Sequence, residues 1–274
     1  MSDPPSDALT TWADHLEAAL AAAGSTRRVR VYRRTASTQD AARKLAPGPV
    51  AVVADEQTGG RGRLGRRWRA APGTGVLVSL TQPLTPPVES VGLASLAGAV
   101  AVAEAIESVA AGVRCEIKWP NDVLIDGRKA AGVLVETTGR RGRRAAVIGI
   151  GVNVADPFAG RPPSGLADTV TWVGAHARDA SRLAVLTAVL VRFDTVVQTW
   201  SAGDLVAAWR HRSLMREHRV RLRHGGREVR GTVVDLDPDA GLILRADTGE
   251  LVHLPAATTT TVVDADRRER GGGH

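Results

Sequence analysis

The sequence predicts an α+β fold, with a mixed or mostly antiparallel sheet flanked by helices and a small C-terminal domain resembling a β-barrel. Three observations carry that prediction. Apolar runs of strand length dominate the middle of the chain, a few longer segments repeat their apolar residues at helical spacing, and from His218 onward brief alternating runs are cut by turn signals. Runs of strands among helices, without a regular strand-helix alternation, point to α+β rather than to a doubly wound parallel sheet.

Taken in order, Thr10 to Ala23 spaces Trp12, Leu16 and Leu20 along one helical face and stops at Gly24. Strands are expected at Val29 to Arg34, Val50 to Asp55, Gly75 to Gln82, Arg114 to Lys118, Lys129 to Glu136 and Ala145 to Asn153. Helices are expected at Ser37 to Ala46, Glu89 to Val109, Leu183 to Trp200 and Asp204 to Leu214, the first of these opening on a Ser37 to Asp40 capping box. The C-terminal strands are Val220 to Arg223, Glu228 to Leu236, Leu242 to Arg245 and Glu250 to Leu254, separated by turns such as Asp247-Thr248-Gly249. Residues 1–26 then form a helical extension, 27–214 the main domain, 215–266 the C-terminal domain and 267–274 a disordered tail.

A chain of 274 residues that is 43% hydrophobic and 24% charged has the balance of a folded globular protein, which excludes wholesale disorder and collagen-like or mucin-like classes. The stretch from Ser90 to Ala103 is free of charge but shorter than the ~18 apolar residues of a membrane span, so no transmembrane helix is expected. Asp3 and Asp7 stand where a secretory signal would be basic, and Cys115 has no partner for a disulfide, so a cytoplasmic protein is expected. About 25 residues before the first strand are too few for a helix-turn-helix domain, and no sequence-specific DNA binding is expected.

The formal charge of +7 reflects a bias toward arginine: of 36 basic residues only Lys44, Lys118 and Lys129 are lysine. A lysine retained against that bias points to a task for a compact ammonium that a planar guanidinium does not serve. Gly59 to Arg69 follows an apolar strand and holds five arginines and Trp68. Its GxGxxG at Gly60, Gly62 and Gly65 is not a dinucleotide fingerprint, because Pro72-Gly73 blocks the helix that motif requires and no acid follows before Glu89. A glycine-rich backbone with N–H donors and guanidinium groups suits an anion, and the indole suits stacking on a base; a solvated basic loop touching nucleic acid nonspecifically is the plainer alternative.

Lys118 to Gly132 contains Asp126-Gly127 between apolar runs, the signature of a two-residue hairpin turn. That turn would pair Leu124 with Lys129 and make Asp122 the diagonal neighbour of Lys129, within ~7 to 8 Å. Gly132 would let another group approach the sheet closely. An exposed cross-strand ion pair of little consequence is the alternative.

The two segments together resemble those of biotin protein ligases, the enzymes that attach biotin to carrier domains of biotin-dependent carboxylases. The matching residues are Ser37-Thr38-Gln39, Gln57, the Gly60 to Arg66 loop with Trp68, Lys118 to Asp122, Arg128-Lys129 with Ala131-Gly132, and Gly149 to Asn153. Leu64 stands where the family commonly has arginine, and Gln39 where asparagine is usual. The resemblance implies a catalytic domain related to lipoate ligases followed by an SH3-like domain, in the single-function type without an N-terminal DNA-binding domain. It implies ATP-dependent ligation of biotin to a carrier lysine through biotinyl-5'-AMP. It implies biotin, ATP and Mg2+ carried by the nucleotide rather than by a protein cage. By that analogy Lys129, Arg63 and Asp122 are catalytic, with Asp122 orienting Lys129 or the incoming lysine. Ser37, Thr38, Gln39, Gln57, Arg61, Gly62, Arg63 and Lys129 surround biotin, while Arg61, Arg63, Arg66, Trp68, Lys118, Asn121 and Asn153 hold ATP or the adenylate. The implied partners are biotin carboxyl carrier domains of acyl-CoA or pyruvate carboxylases, with no membrane partner and a monomer favoured. A lipoate or octanoate ligase of the same fold and a non-catalytic nucleic-acid-binding module are the alternatives.

Overall fold

The computed structural model describes residues 8–46, 48–140, 143–163 and 165–261; the expected tail at 267–274 lies outside them. The helices are α1 (Ala8–Ala22), α2 (Thr38–Leu45), α3 (Val91–Val109), α4 (Arg182–Thr199) and α5 (Ala202–Arg212). The first seven strands are β1 (Arg28–Thr35), β2 (Val50–Gln57), β3 (Gly75–Pro83), β4 (Cys115–Lys118), β5 (Asp122–Ile125), β6 (Arg128–Arg140) and β7 (Arg143–Asn153). The last five are β8 (Arg219–His224), β9 (Arg227–Asp237), β10 (Gly241–Ala246), β11 (Leu251–Leu254) and β12 (Thr259–Thr261).

Strands β1 to β7 build one mixed sheet in the order β1-β2-β3-β7-β6-β5-β4, parallel only between β1 and β2. One face is covered by α1, α3, α4 and α5 and holds the main core, including Leu16, Val78, Ile106, Ile148, Phe193 and Trp209. Helix α2 covers the other face, where Ala42 packs on Val52 and Val147. Helix α3 has the length and apolar composition that would cross a bilayer, which the count of charge-free residues did not register. Its residues from Leu93 to Ile106, apart from Ser95 and Glu104, are instead buried, and Gly98 admits Val133 and Ile148 of β6 and β7 into contact with the helix.

The second sheet, in the order β11-β10-β9-β8-β12, is antiparallel throughout, and among the described residues β11 and β12 do not pair. The expected barrel is therefore an open SH3-like sheet. Its inner face of Leu222, Val233, Leu242 and Leu244 is continuous with the main core. Strand β4 holds the link between α5 and β8 at Ile117, whose carbonyl accepts from Leu214 N–H at 3.1 Å, and α3 meets the turn between β9 and β10 at Gly92, where a Cβ would lie 1.6 Å from the Pro238 carbonyl oxygen.

Arg27 and Asp194 form a buried ion pair, with side chains 2% and 3% exposed. Arg27 Nε donates to Asp194 Oδ1 at 2.9 Å, its Nη1 donates to the Thr81 and Val50 carbonyls, and Ser25 Oγ donates to the same carboxylate. Removing one member of such a pair leaves an uncompensated buried charge. Asp194→Ala is expected to lower stability by about 3 to 5 kcal/mol in urea unfolding; a loss below about 1 kcal/mol, the range of exposed pairs, would contradict the assigned geometry.

Candidate functional site

The α2 face of the sheet carries glycines where side chains would otherwise stand. Gly132 of β6 pairs with Gly151 of β7, and Gly149 pairs with Leu134. A Cβ on Gly151 would lie 2.4 Å from Cε2 of Trp68, and one on Gly149 would strike Gln39 Oε1 at 2.2 Å. One on Gly132 would meet Lys129 Nζ at 3.1 Å and Trp68 Cζ3 at 3.2 Å. Only bare backbone lets an indole, an amide and an ammonium lie against the sheet this way.

Lys129 and Asp122 form the charged centre. Asp126 and Gly127 have φ of 50° and 72°, the left-handed pair that a two-residue turn of this type requires. Leu124 faces Lys129 as the sequence predicts, but a bulge at Ala130 then shifts the register so that Asp122 opposes Gly132. The space above Gly132 is where Lys129 Nζ reaches Asp122 Oδ1, at 2.6 Å, with about a third of each side chain exposed (33% and 30%). The same ammonium lies 5.5 Å from the centroid of the Trp68 ring. Lys118 stands directly across from Asp122 on β4.

The glycine and arginine loop folds as a small hairpin of its own. Arg61 bridges Arg67, Gly62 N–H donates to Arg66 O at 2.7 Å, and Trp68 N–H donates to Gly60 O at 3.1 Å. Its tip is a 3-10 turn, Arg63–Gly65, with Leu64 exposed in the left-handed region at φ 55°. That conformation costs an L-residue about 1 kcal/mol. Arg63 points inward, donating to Asn121 Oδ1 at 3.3 Å, to Thr259 O at 3.3 Å and to the Ala256 carbonyl, so the C-terminal domain helps aim it. Burial pulls its pKa down, the Asp122 carboxylate opposes that pull, and the guanidinium stays protonated. Arg61 pairs with Asp40 at 2.9 Å and Glu136 at 3.0 Å, while Arg66 is exposed. A cleft of about 490 Å³ opens beneath the loop, lined also by Leu134, Glu136 and Ala257.

Ser37, Thr38 and Gln39 are all buried at the start of α2. Gln39 donates to Val147 O at 3.0 Å, and Gln57 Oε1 accepts from Thr38 N–H at 2.8 Å. Thr38 Oγ1 meets Ser79 Oγ at 2.8 Å. The expected capping box does not form: Ser37 makes no side-chain cap bond, and its buried Oγ has no partner. The buried Trp68 Nε1 also lacks one. Unpaired buried polar atoms lining one face are what a polar ligand would satisfy.

The expected site residues thus converge on this face, with one different placement. Asn121 ties the end of β5 to β6 through Val133 O at 2.5 Å while presenting its Oδ1 to Arg63. Asn153 is buried and spends its Nδ2 on Thr171 O at 3.0 Å and Lys129 O at 3.5 Å, behind the hairpin. Ser79 and Glu136 were missed; Ser79 and Thr81 interrupt β3 at alternate positions, a polar period of two that the sequence does carry. Cys115 is buried and its pKa is pushed up to about 12 by that burial, which keeps it an inert thiol. Among the described residues no group of three His, Cys, Asp or Glu could hold a metal ion.

Residues 31–153 match the model of the Biotin/lipoate A/B protein ligase family, and residues 217–258 match the Biotin protein ligase C terminal domain. The biotin--[acetyl-CoA-carboxylase] ligase of Paracoccus denitrificans is 36% identical over 234 residues, covering 82% of this chain and 96% of that protein. The bifunctional ligase/repressor BirA of Bacillus spizizenii is 40% identical over 167 residues, covering 58% of this chain. The match spans half of that relative's length (50%). Among solved structures, the biotin protein ligase from Aquifex aeolicus in complex with biotin and ATP superposes with a TM-score of 0.67 at 26% identity, covering 85% of this chain and 99% of that one.

The unpaired Ser37 hydroxyl has a measurable consequence without any ligand. Ser37→Ala is expected to leave the thermal unfolding midpoint unchanged or raise it, because no hydrogen bond is lost. Thr38→Val removes bonds to Gln57 and Ser79 and should cost about 1 kcal/mol. Equal losses for the two variants would mean that Ser37 is paired after all.

Proposed function

The chain belongs to the biotin protein ligase family, and we propose on that premise that it joins biotin to a lysine of a biotin carboxyl carrier domain in two steps driven by ATP. In the first, a biotin carboxylate oxygen attacks the α-phosphorus of ATP, forming biotinyl-5'-AMP as the bond to pyrophosphate breaks. In the second, the neutral ε-amine of the acceptor lysine attacks the acyl carbon, AMP leaves with the bonding pair, and the amine gives up a proton. Magnesium enters as part of the nucleotide substrate.

The observation that carries this reading is the Lys129 ammonium held above Gly132, a third exposed, on an Asp122 carboxylate whose charge also acts on Arg63. Bringing a carboxylate to a phosphate opposes two like charges, a repulsion of roughly 4 kcal/mol at 4 Å near a protein surface. A fixed ammonium between them cancels that repulsion in the ground state and strengthens as charge develops on the phosphate. Lys129 is suited because its present partner is a carboxylate about a third exposed, whose hold is worth about 1 kcal/mol or less and is readily exchanged for a ligand oxygen. Asp122 would orient Lys129 before that exchange or, once released, receive the incoming lysine. Arg63, with Arg61 and Arg66, would hold the phosphates, and the loop would shield the mixed anhydride from water.

The polar set at Ser37, Thr38, Gln39 and Gln57 favours the ureido ring of biotin over the apolar chain of lipoate or octanoate, because an alkyl chain would leave the Ser37 hydroxyl unsatisfied. Mixing the protein with biotin, Mg-ATP and a carrier domain should add one biotinyl group to the carrier's mass. No addition, or equal addition of octanoate, would overturn the reading. Lys129→Ala and Arg63→Ala should each lower biotin-dependent exchange of pyrophosphate into ATP by about 100-fold or more while the unfolding midpoint is retained. Near wild-type exchange in either variant would remove it from the mechanism.

A further inference from the structure

We propose that the irregular segment around Thr169 to His176 is a bracket that positions Lys129, and that His176 is its outer pin. The inference rests on the reading of Lys129 as the cation of the adenylation step. Lys129 sits at the weakest place in its sheet. On one side it is flanked by the hairpin turn at Asp126-Gly127 and by the bulge at Ala130, where the ladder with β5 is interrupted. On the other, β7 ends at Asn153, and the last β6 residue with a β7 partner is Ala131, opposite Val152. On the β7 side, the backbone of Lys129 would therefore have no strand beside it.

The segment after β7 supplies one. Lys129 N–H donates to Thr169 O at 2.9 Å and its carbonyl accepts from Thr171 N–H at 2.9 Å, a parallel bridge centred on Val170. Asn153 closes the join from behind through Thr171 O and Lys129 O. His176 then fixes the bracket to the turn: its Nε2 lies 2.9 Å from Thr171 Oγ1 and its Nδ1 lies 3.4 Å from Asp126 Oδ2. One ring nitrogen is hydrogen-bonded to the Thr171 hydroxyl, and the other lies within ion-pair distance of the Asp126 carboxylate. One imidazole thus holds both the neighbouring segment and the hairpin that carries the ammonium. His176 touches neither Lys129 Nζ nor the cleft residues and is a positioning residue, acting through backbone that the reacting group cannot leave.

Three measurements on the full chain test this. In His176→Ala, exchange of the Lys129 amide should accelerate by about tenfold, as loss of one supporting hydrogen bond predicts. The kcat of biotin-dependent pyrophosphate exchange should fall by about tenfold with KM for ATP within about twofold, because a misplaced ammonium weakens the transition state more than binding at the loop. His176→Gln, whose amide oxygen can accept from Thr171, should restore most of both, and His176→Ala should add nothing in a Lys129→Ala background. An unchanged Lys129 amide, equal loss in the Ala and Gln variants, or a further loss in the Lys129→Ala background would overturn the bracket. If the wild-type protein shows no biotin-dependent exchange, the proposed function falls, while the amide measurement still decides the bracket.

Discussion

The structure is organised around one ammonium group standing on bare backbone. Lys129 reaches Asp122 across the bare backbone of Gly132, where a Cβ would crowd its Nζ at 3.1 Å, and Trp68 lies beside it only because Gly151 has no side chain. The rest of the fold keeps that arrangement in register. Helix α3 and the core beneath the sheet fix β6 and β7 from one face, which frees the opposite face for chemistry. The hairpin turn sets Lys129 against Leu124, and the bulge turns the strand so that Asp122 arrives opposite the glycine. An ion pair a third exposed contributes little to folding. Its persistence in an arginine-biased chain is better explained by what the ammonium does when the carboxylate lets it go.

The second constraint is like-charge crowding. Arg61, Arg63, Arg66 and Arg67 fall within seven residues and are given three different environments. Arg61 is neutralised by Asp40 and Glu136, Arg63 is aimed inward by Asn121 and by carbonyls of the C-terminal domain, and Arg66 and Arg67 face solvent. A loop in which one guanidinium is held by neutral acceptors while its neighbours are paired or hydrated can take a polyanion without first breaking a strong ion pair at its centre. The C-terminal domain takes part in that arrangement through Ala256 and Thr259.

What the sequence made legible follows from how local each signal is. The Asp126-Gly127 turn, the pairing of Leu124 with Lys129 and the need for a glycine at 132 are written in two or three adjacent residues, and all three are present. Ser37 is the opposite case: a Ser three residues before an Asp has the same letters whether its hydroxyl caps the helix or is left buried without a partner, and only the backbone decides. Asn153 closes the same segment as the matching motif, yet its direction depends on Thr171, eighteen residues on, in a stretch with neither helical nor strand period. Strand β12 spans three residues, too few for any periodicity, and the open edge of the second sheet depends on where that strand pairs. Helix α3 carries apolar residues on every side, a pattern shared by membrane spans and helices buried in large cores; only its packing against β6, β7 and α4 separates the two.

The central claim is that Lys129 exchanges Asp122 for the oxygens of two anionic substrates. A crystal grown with biotin and a non-hydrolysable ATP analogue tests it most directly. The account predicts Lys129 Nζ within about 3 Å of a carboxylate or phosphate oxygen, with Arg63 turned from the Thr259 carbonyl toward the same phosphates. Both ligands bound while Nζ still rests on Asp122, clear of every ligand oxygen, would contradict it.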